Sequence, residues 1–316
     1  MSLQKLMIIL FLFFSTLHAN QKTIAYIVSD ITIPFWEIMA NGIKNVAQEQ
    51  GYNFKIYNGE NQPKKELEQT IKAIQDRVDG IIVSPTNSSA CVTILKLAQN
   101  ANIPVVIADI GTDAGEYVAY VSSNNKAGAY GIGKVLAKKM IQKGWQDGSV
   151  GLIAIPQKRL NGQARTAGFM QALDEAGIKS ADIKQFVTWD KKETYNYTKE
   201  MISNYPNLRA IWIQTSHIYQ GAIDAIKDSG KSNEIFLISF DAEPEFLDLI
   251  PKETIIGAAM QQPFLMGEKA ALALHEHLQG KKVKKDLQQP ILIISTDNIE
   301  EKLPVIQRNV LGKKNP

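Results

Sequence analysis

Aromatic, carboxylate and amide side chains recur where apolar runs give way to polar ones. Phe35 and Trp36 follow "SDITIP", Trp189 and Asp190 close "IKQFVTWD", Asp109 closes "IPVVIAD", and Asp241 closes "FLISFD". Asn161, Gln163 and Arg165 lie in a polar stretch after "VGLIAIP"; Gln214, Thr215 and Ser216 end "AIWIQTS"; Gln261 and Gln262 end "GAAMQQ". Carboxylates and amides pair well with hydroxyls, which donate and accept at once. Aromatic faces cover the apolar C–H face of a flat ring. Together these groups suit a carbohydrate. In open α/β sheets ligands bind beyond the carboxyl ends of the strands. The residues therefore converge if the runs that carry them are parallel strands.

The runs have that form. Short β-branched stretches alternate with amphipathic ones almost without a break. "TIAYIVSD" (23–30), "NFKIYNG" (53–59), "GIIVSP" (80–85) and "IPVVIAD" (103–109) read as strands. Helices are predicted between them, over 35–50, in "KKELEQTIKAIQDRV" and through Cys91. The pattern restarts with "YVAYVSSN" (117–124) and "SVGLIAIP" (149–156) and continues through "IKQFVTWD" and "RAIWIQTS" to "EIFLISFD". Apolar strands alternating with helices predict parallel sheets buried on both faces. Two sets of similar size predict an α/β protein of two similar doubly wound lobes, joined by a multi-strand hinge, with a ligand cleft between them. The unit "IIGAAMQQ" (255–262) and a helix over 264–279 are expected to return the chain to the first lobe. The expected division is 22–124 with 262–288, then 125–261 with 289–300, then a surface tail over 301–316.

The chain has 316 residues, 45% hydrophobic and 21% charged, with a net charge of +3 spread along the sequence. This is enough chain for two domains, and the weak basic excess argues against nucleic acid as a partner. "MSLQKLMIILFLFFSTLHAN" combines one lysine, an apolar run over 6–14 and a Leu-His-Ala ending. It predicts a secretory signal cleaved after Ala19 and a periplasmic location. Cys91 is the single cysteine, which excludes an internal disulfide.

In order and spacing, these residues resemble the type I periplasmic sugar-binding proteins of the ribose and galactose kind, over residues 22–296. Ile33-Pro34-Phe35-Trp36 is similar to that family's Asn-Pro-Phe-Phe turn, "SPTNSSACV" to its Pro-Thr-Asp-Ser loop, and "ISFDAEPE" to its Gly-Phe-Asp-Gly-x-Pro. "GQARTAGFMQAL" resembles its Arg-rich helix start, and "MQQP" places Gln261 at its hinge glutamine. The resemblance implies ligand contacts from Phe35, Trp36, Asp109, Gln163, Arg165, Trp189, Thr215, Asp241 and Gln261. It also implies a monomer that closes on a small sugar-like ligand and docks on the membrane permease of an ABC importer, without cofactor or metal. A second outcome shares the fold: the closed form reports to a sensor kinase or chemoreceptor without transport. The departures are Ile33 for Asn, Ile110 for the Arg after the strand-end Asp, Gln163 for the first Arg of Arg-x-Arg, and Thr215-Ser216 for Asn-Asp. Each lost arginine removes a planar donor fork. Ribose here would leave hydroxyls unpaired, at about 1–3 kcal/mol each.

Structural roles compete for the same residues. Trp36 and Trp189 could be core, Asp109 and Asp241 could cap helices, and Arg165 could pair with Asp241. Other signals carry no chemistry. His275 and His277, two apart on a helix, point in different directions. "GAYGIGK" lacks the Gly-Lys-Ser/Thr ending of a phosphate loop and reads as a site of close helix packing. No Ser/His/Asp set or Glu pair has supporting context, so no enzyme is expected.

Overall fold

The computed structural model describes residues 21–313. The expected signal segment, residues 1–19, lies outside the described residues. The first lobe begins β1 (Thr23–Val28), α1 (Pro34–Glu49), β2 (Asn53–Asn58), α2 (Pro63–Gln75), β3 (Gly80–Ser84), α3 (Ser88–Asn100), β4 (Val105–Ala108) and β5 (Ala119–Ser123). The second follows as α4 (Asn125–Gln142), β6 (Ser149–Ala154), α5 (Leu160–Glu175), β7 (Lys179–Gln185), α6 (Lys191–Asn204), β8 (Leu208–Ile213), α7 (Tyr219–Asp228), β9 (Phe236–Phe240), α8 (Phe246–Leu249) and β10 (Gly257–Met260). The chain then runs through α9 (Pro263–Leu278), β11 (Asp286–Gln289), β12 (Leu292–Ser295) and α10 (Ile299–Val305).

Two six-stranded sheets result, in the orders β11-β5-β4-β3-β1-β2 and β12-β10-β9-β8-β6-β7. All pairings are parallel except β12 on β10. The fold is thus the two-lobed, doubly wound α/β arrangement. The chain passes between sheets after β5, after β10 and between β11 and β12, so the hinge side is the β5–β11 and β10–β12 edge of each sheet. β2 and β7 lie at the opposite edges.

Central strands are apolar on both faces because helices cover both: β1, β3 and β4 have every residue buried except Thr23. α9 returns to the first sheet by packing on α1. That contact needs glycine: a Cβ on Gly42 would strike the Phe264 carbonyl, and one on Gly267 the Met39 carbonyl. In "GAYGIGK", Gly133 likewise lets α4 approach Ala172 and Phe169 of α5.

Two segments differ from expectation. The strand read over "IKQFVTWD" lies earlier, and Phe186–Asp190 has left the sheet. The Glu193 carboxylate captures the backbone N–H groups of Val187, Thr188 and Trp189, giving this stretch a loop conformation instead. The described part of the tail, residues 301–313, is not wholly a surface segment. After α10, which contains Pro304, Ile306–Val310 forms a π-helical turn whose Ile306 and Val310 are buried in the second lobe's core. Pro304 lacks the donor that a regular helix would use. From this turn Arg308 pairs with Glu268 of α9 at 2.9 Å and Asn309 donates to Gln262 at 2.8 Å. The C-terminal segment therefore ties the second lobe back to the first. Among the described residues no helix is long and apolar enough to cross a membrane.

Candidate functional site

The carboxyl ends of the two sheets face each other and enclose a small cavity. Its walls hold Phe35, Trp36, Asp109, Arg165, Trp189, Thr215, Asp241 and Gln261, together with Ser29, Ile33, Asn61, Ile155, Arg159, Asn161 and His217. The atom-free space is about 470 Å³, of which the centre of a water molecule can reach about 50 Å³. That is the scale of one small ring.

Two aspartates occupy equivalent places in the two lobes. Asp109 follows β4 and donates its N–H to Val121 of the next strand; Asp241 follows β9 and donates to Ala259 of the next strand. Both have φ of +66°. This left-handed conformation, which Asp tolerates better than most residues, turns each carboxylate off the sheet and into the cleft. Neither caps a helix. Asp241 accepts from Gln261 Nε2 at 2.8 Å and from Arg165 Nη1 at 3.4 Å. Asp109 Oδ2 accepts from Asn161 Nδ2 at 3.4 Å, while its Oδ1 and Gln261 Oε1 are buried with no protein partner. Burial pushes Asp109 up to about 6; Arg165 and Arg159 draw it down, while Asp241 adds to the rise. Asp241 is also raised by burial, against Arg165 and Gln261.

Arg165 does structural and electrostatic work together. Its Nε donates to Asn125 Oδ1, its Nη1 to the Gln214 carbonyl, and its plane lies 3.8 Å over Phe240. It fixes the second lobe's cavity wall and presents positive charge between the two aspartates.

The aromatic walls come from different lobes. Pro34 starts α1 within its first turn. This fixes the following pair, with Trp36 buried and Phe35 packed edge-on against it at 4.9 Å. Across the cleft Trp189 adopts φ of +61°, an outlier for so bulky a residue and the kind of strain found at binding sites. The Glu193 clamp maintains it. Trp189 stacks on Phe186 and His217, and the Arg159 guanidinium lies 4.9 Å over its ring. Burial lowers His217 to about 4, so it is neutral at physiological pH; its Nδ1 meets Thr215 Oγ1 at 3.1 Å.

Eight of the nine residues singled out from sequence thus reach the cavity. Gln163 does not: its side chain is exposed and donates to the Gln157 carbonyl. The helical period explains this, since positions two apart face nearly opposite ways. Asn161, four before Arg165, shares its face and fills the place expected of Gln163. Arg159 was missed because it precedes the helix. It supplies a guanidinium from just outside the expected Arg-x-Arg pattern, and its Nε and Nη2 cross the cleft to the Thr86 carbonyl and Asn61 Oδ1. His217 and Asn61 gave no sequence signal beyond lying in strand-end loops.

A cavity between two doubly wound lobes, walled by aromatic rings and lined with buried acceptors, defines a solute-binding protein. A family model described as a periplasmic binding protein domain matches residues 24–282, and the chain belongs to that family. It is 28% identical over 274 residues to the ribose import binding protein of Bacillus subtilis, covering 86% of this chain and 87% of that one. It is 27% identical over 273 residues to the Escherichia coli protein of the same name, covering 85% and 90%. A carbohydrate transporter solute binding protein from Agrobacterium radiobacter, solved with D-arabinose, superposes with a TM-score of 0.84 at 20% identity, covering 92% of this chain and 99% of that one. An ABC transporter solute binding protein from Actinobacillus succinogenes with D-allose gives 0.82 at 19%, covering 89% and 100%. At these identities the structural matches establish the fold.

Proposed function

We propose that this protein captures a small sugar or sugar-like ring between its lobes in the periplasm and delivers it to the membrane permease of an ABC importer. One observation carries the reading: Asp109 Oδ1 and Gln261 Oε1 are buried acceptors without protein partners, facing a ring-sized cavity walled by Trp36 and Trp189. An unmatched buried acceptor costs about 1–3 kcal/mol, which ligand hydroxyls would recover. Trp36 with Phe35 covers one face of the ring and Trp189 the other. Asp109 and Asp241 accept from hydroxyls; Arg165, Asn161, Thr215 and Gln261 set orientation. The protein binds and releases without turnover. The import role of the ribose-binding relatives favours delivery over signalling to a sensor kinase or chemoreceptor.

The test is thermal unfolding of the mature chain against pentoses, hexoses, cyclitols, amino sugars and furanoses. At a thousandfold excess over Kd a ligand adds about 4 kcal/mol, a shift of several degrees. One compound should produce that shift and lose it in Asp241→Ala or Trp36→Ala. A panel without any shift would refute the sugar assignment.

A further inference from the structure

Arg159 precedes α5 in the second lobe, yet its two side-chain hydrogen bonds go to the first. Nε donates to the Thr86 carbonyl at 3.0 Å and Nη2 to Asn61 Oδ1 at 3.2 Å. The sheet orders place the Asn61 end of this bridge far from the hinge and the Thr86 end, after the central strand β3, at mid-sheet. Asn61 follows β2, at the edge opposite β11; Arg159 follows β6, beside edge strand β7 and opposite β12. Opening about the hinge would displace the far edges most, so these inter-lobe bonds would break as the lobes part.

Beneath the bridge lies a buried carboxylate that does not line the cavity. Glu66 on α2 is fully buried; its Oε1 accepts from Thr86 N at 2.8 Å and Thr86 Oγ1 at 3.1 Å, and its Oε2 has no protein partner. It holds the residue whose carbonyl receives Arg159, and its unmatched charge attracts the guanidinium that closure brings in.

We propose that Arg159 is the latch of the closed state and that Glu66 is the positioning residue for the latch's seat. The inference rests on the two-lobed closure above and is independent of which ring is bound.

The coupling has a sign. Burial pushes Glu66 up to about 7; the two Thr86 hydrogen bonds, which stay within the first lobe, draw it down, and the Arg159 charge draws it down further. The other ionisable group facing it, the Cys91 thiol, is pushed up to about 12 by burial and stays neutral. Burial lowers Arg159 to about 10, so it stays charged near neutrality. With the lobes open the guanidinium is remote and Glu66 holds its proton more tightly. Closure therefore releases a proton, and rising pH favours the closed form.

Glu60 and Thr188 line the outer cleft from opposite lobes. With both replaced by cysteine and Cys91 buried, the rate of intramolecular joining by a short bis-maleimide measures excursions to the closed state, without added ligand. Arg159→Gln should slow joining at least about tenfold, since it removes both charge-assisted hydrogen bonds and a Gln amide can restore at most one neutral one. Arg159→Lys should fall between, keeping the charge but losing the fork. An Arg159→Gln rate equal to that of the native chain overturns the latch. Glu66→Gln should join at nearly the native rate at pH 5.5 and several-fold more slowly at pH 8. A ratio constant with pH overturns the role of Glu66, because a purely structural defect would act alike at both. Adding the pooled sugars tests the proposed function separately: failure to accelerate the native chain refutes sugar-driven closure and leaves the ligand-free comparison intact.

Discussion

Asp109→Asn should make this protein more stable and a poorer binder, both measurably. The Asp109 carboxyl is 2% exposed, has one oxygen without a protein partner and faces a second carboxylate. Burial raises it from the ordinary value of 3.8 to about 6. The folded chain thus holds this proton more tightly than the unfolded chain, and stability falls as pH rises from about 4 to about 6, then stays level. A shift of that size corresponds to about 3 kcal/mol of lost stability at pH 7. Asparagine keeps the shape without the charge. It should recover about 1–3 kcal/mol at pH 7.5, several degrees in thermal midpoint, and only a few tenths near pH 4. A hydroxyl that donated to the carboxylate would lose a charge-assisted bond, so affinity should fall about 10- to 100-fold. Melting curves of both chains at pH 7.5 and pH 4, with titration of the bound sugar at pH 7.5, test the two halves. A midpoint lowered by Asp109→Asn at pH 7.5 would refute the reasoning, because the carboxylate would then stabilise the closed fold. Unchanged affinity would remove Asp109 from the ligand.

Gln163→Ala should change sugar affinity less than about twofold, as for a surface position; titration calorimetry showing a tenfold loss would return it to the site. Arg165→Met strands Asp241 in the interior and should cost about 3–5 kcal/mol in urea unfolding. A loss under 1 kcal/mol would show that Asp241 does not depend on the Arg165 charge. Trp189→Ala should weaken binding by roughly tenfold through lost ring contact, with a smaller change in midpoint, since this half-buried ring sits on a loop; an intact affinity would leave Trp36 as the only platform. Ending the chain after Val305 removes buried Ile306 and Val310 and should cost about 3–6 kcal/mol in chemical denaturation. An unchanged transition would show that the tail's packing contributes nothing.

Much of the candidate site was legible because the residues lining its cavity are placed by local rules. Strand periodicity and the strand-end rule located Asp109, Asp241, Thr215 and Gln261, and a proline at a helix start marked Phe35 and Trp36. Gln163 failed on a rule that was also available: once Arg165 faces inward, Asn161 shares its face and Gln163 cannot. Trp189 was found for an incomplete reason, as a strand-end residue. Its position depends on the Glu193 carboxylate, which holds the chain out of a sheet that it leaves five residues earlier than the strand pattern suggested.

By itself the sequence determined the alternation of elements, the two sheets and the residues at their carboxyl ends. These follow from side-chain periodicity and backbone preference within a few residues. Only the tertiary structure decided which ends meet across the cleft. The Arg159 bridge, the Glu66 carboxylate beneath it and the C-terminal tie to Glu268 join residues 73, 20 and 40 positions apart. No local period encodes such pairs. The Arg159 bridge forms because the two sheets place their strand ends face to face; the other two pairs form where α2 packs beside the loop after β3 and where the π-helical turn packs on α9.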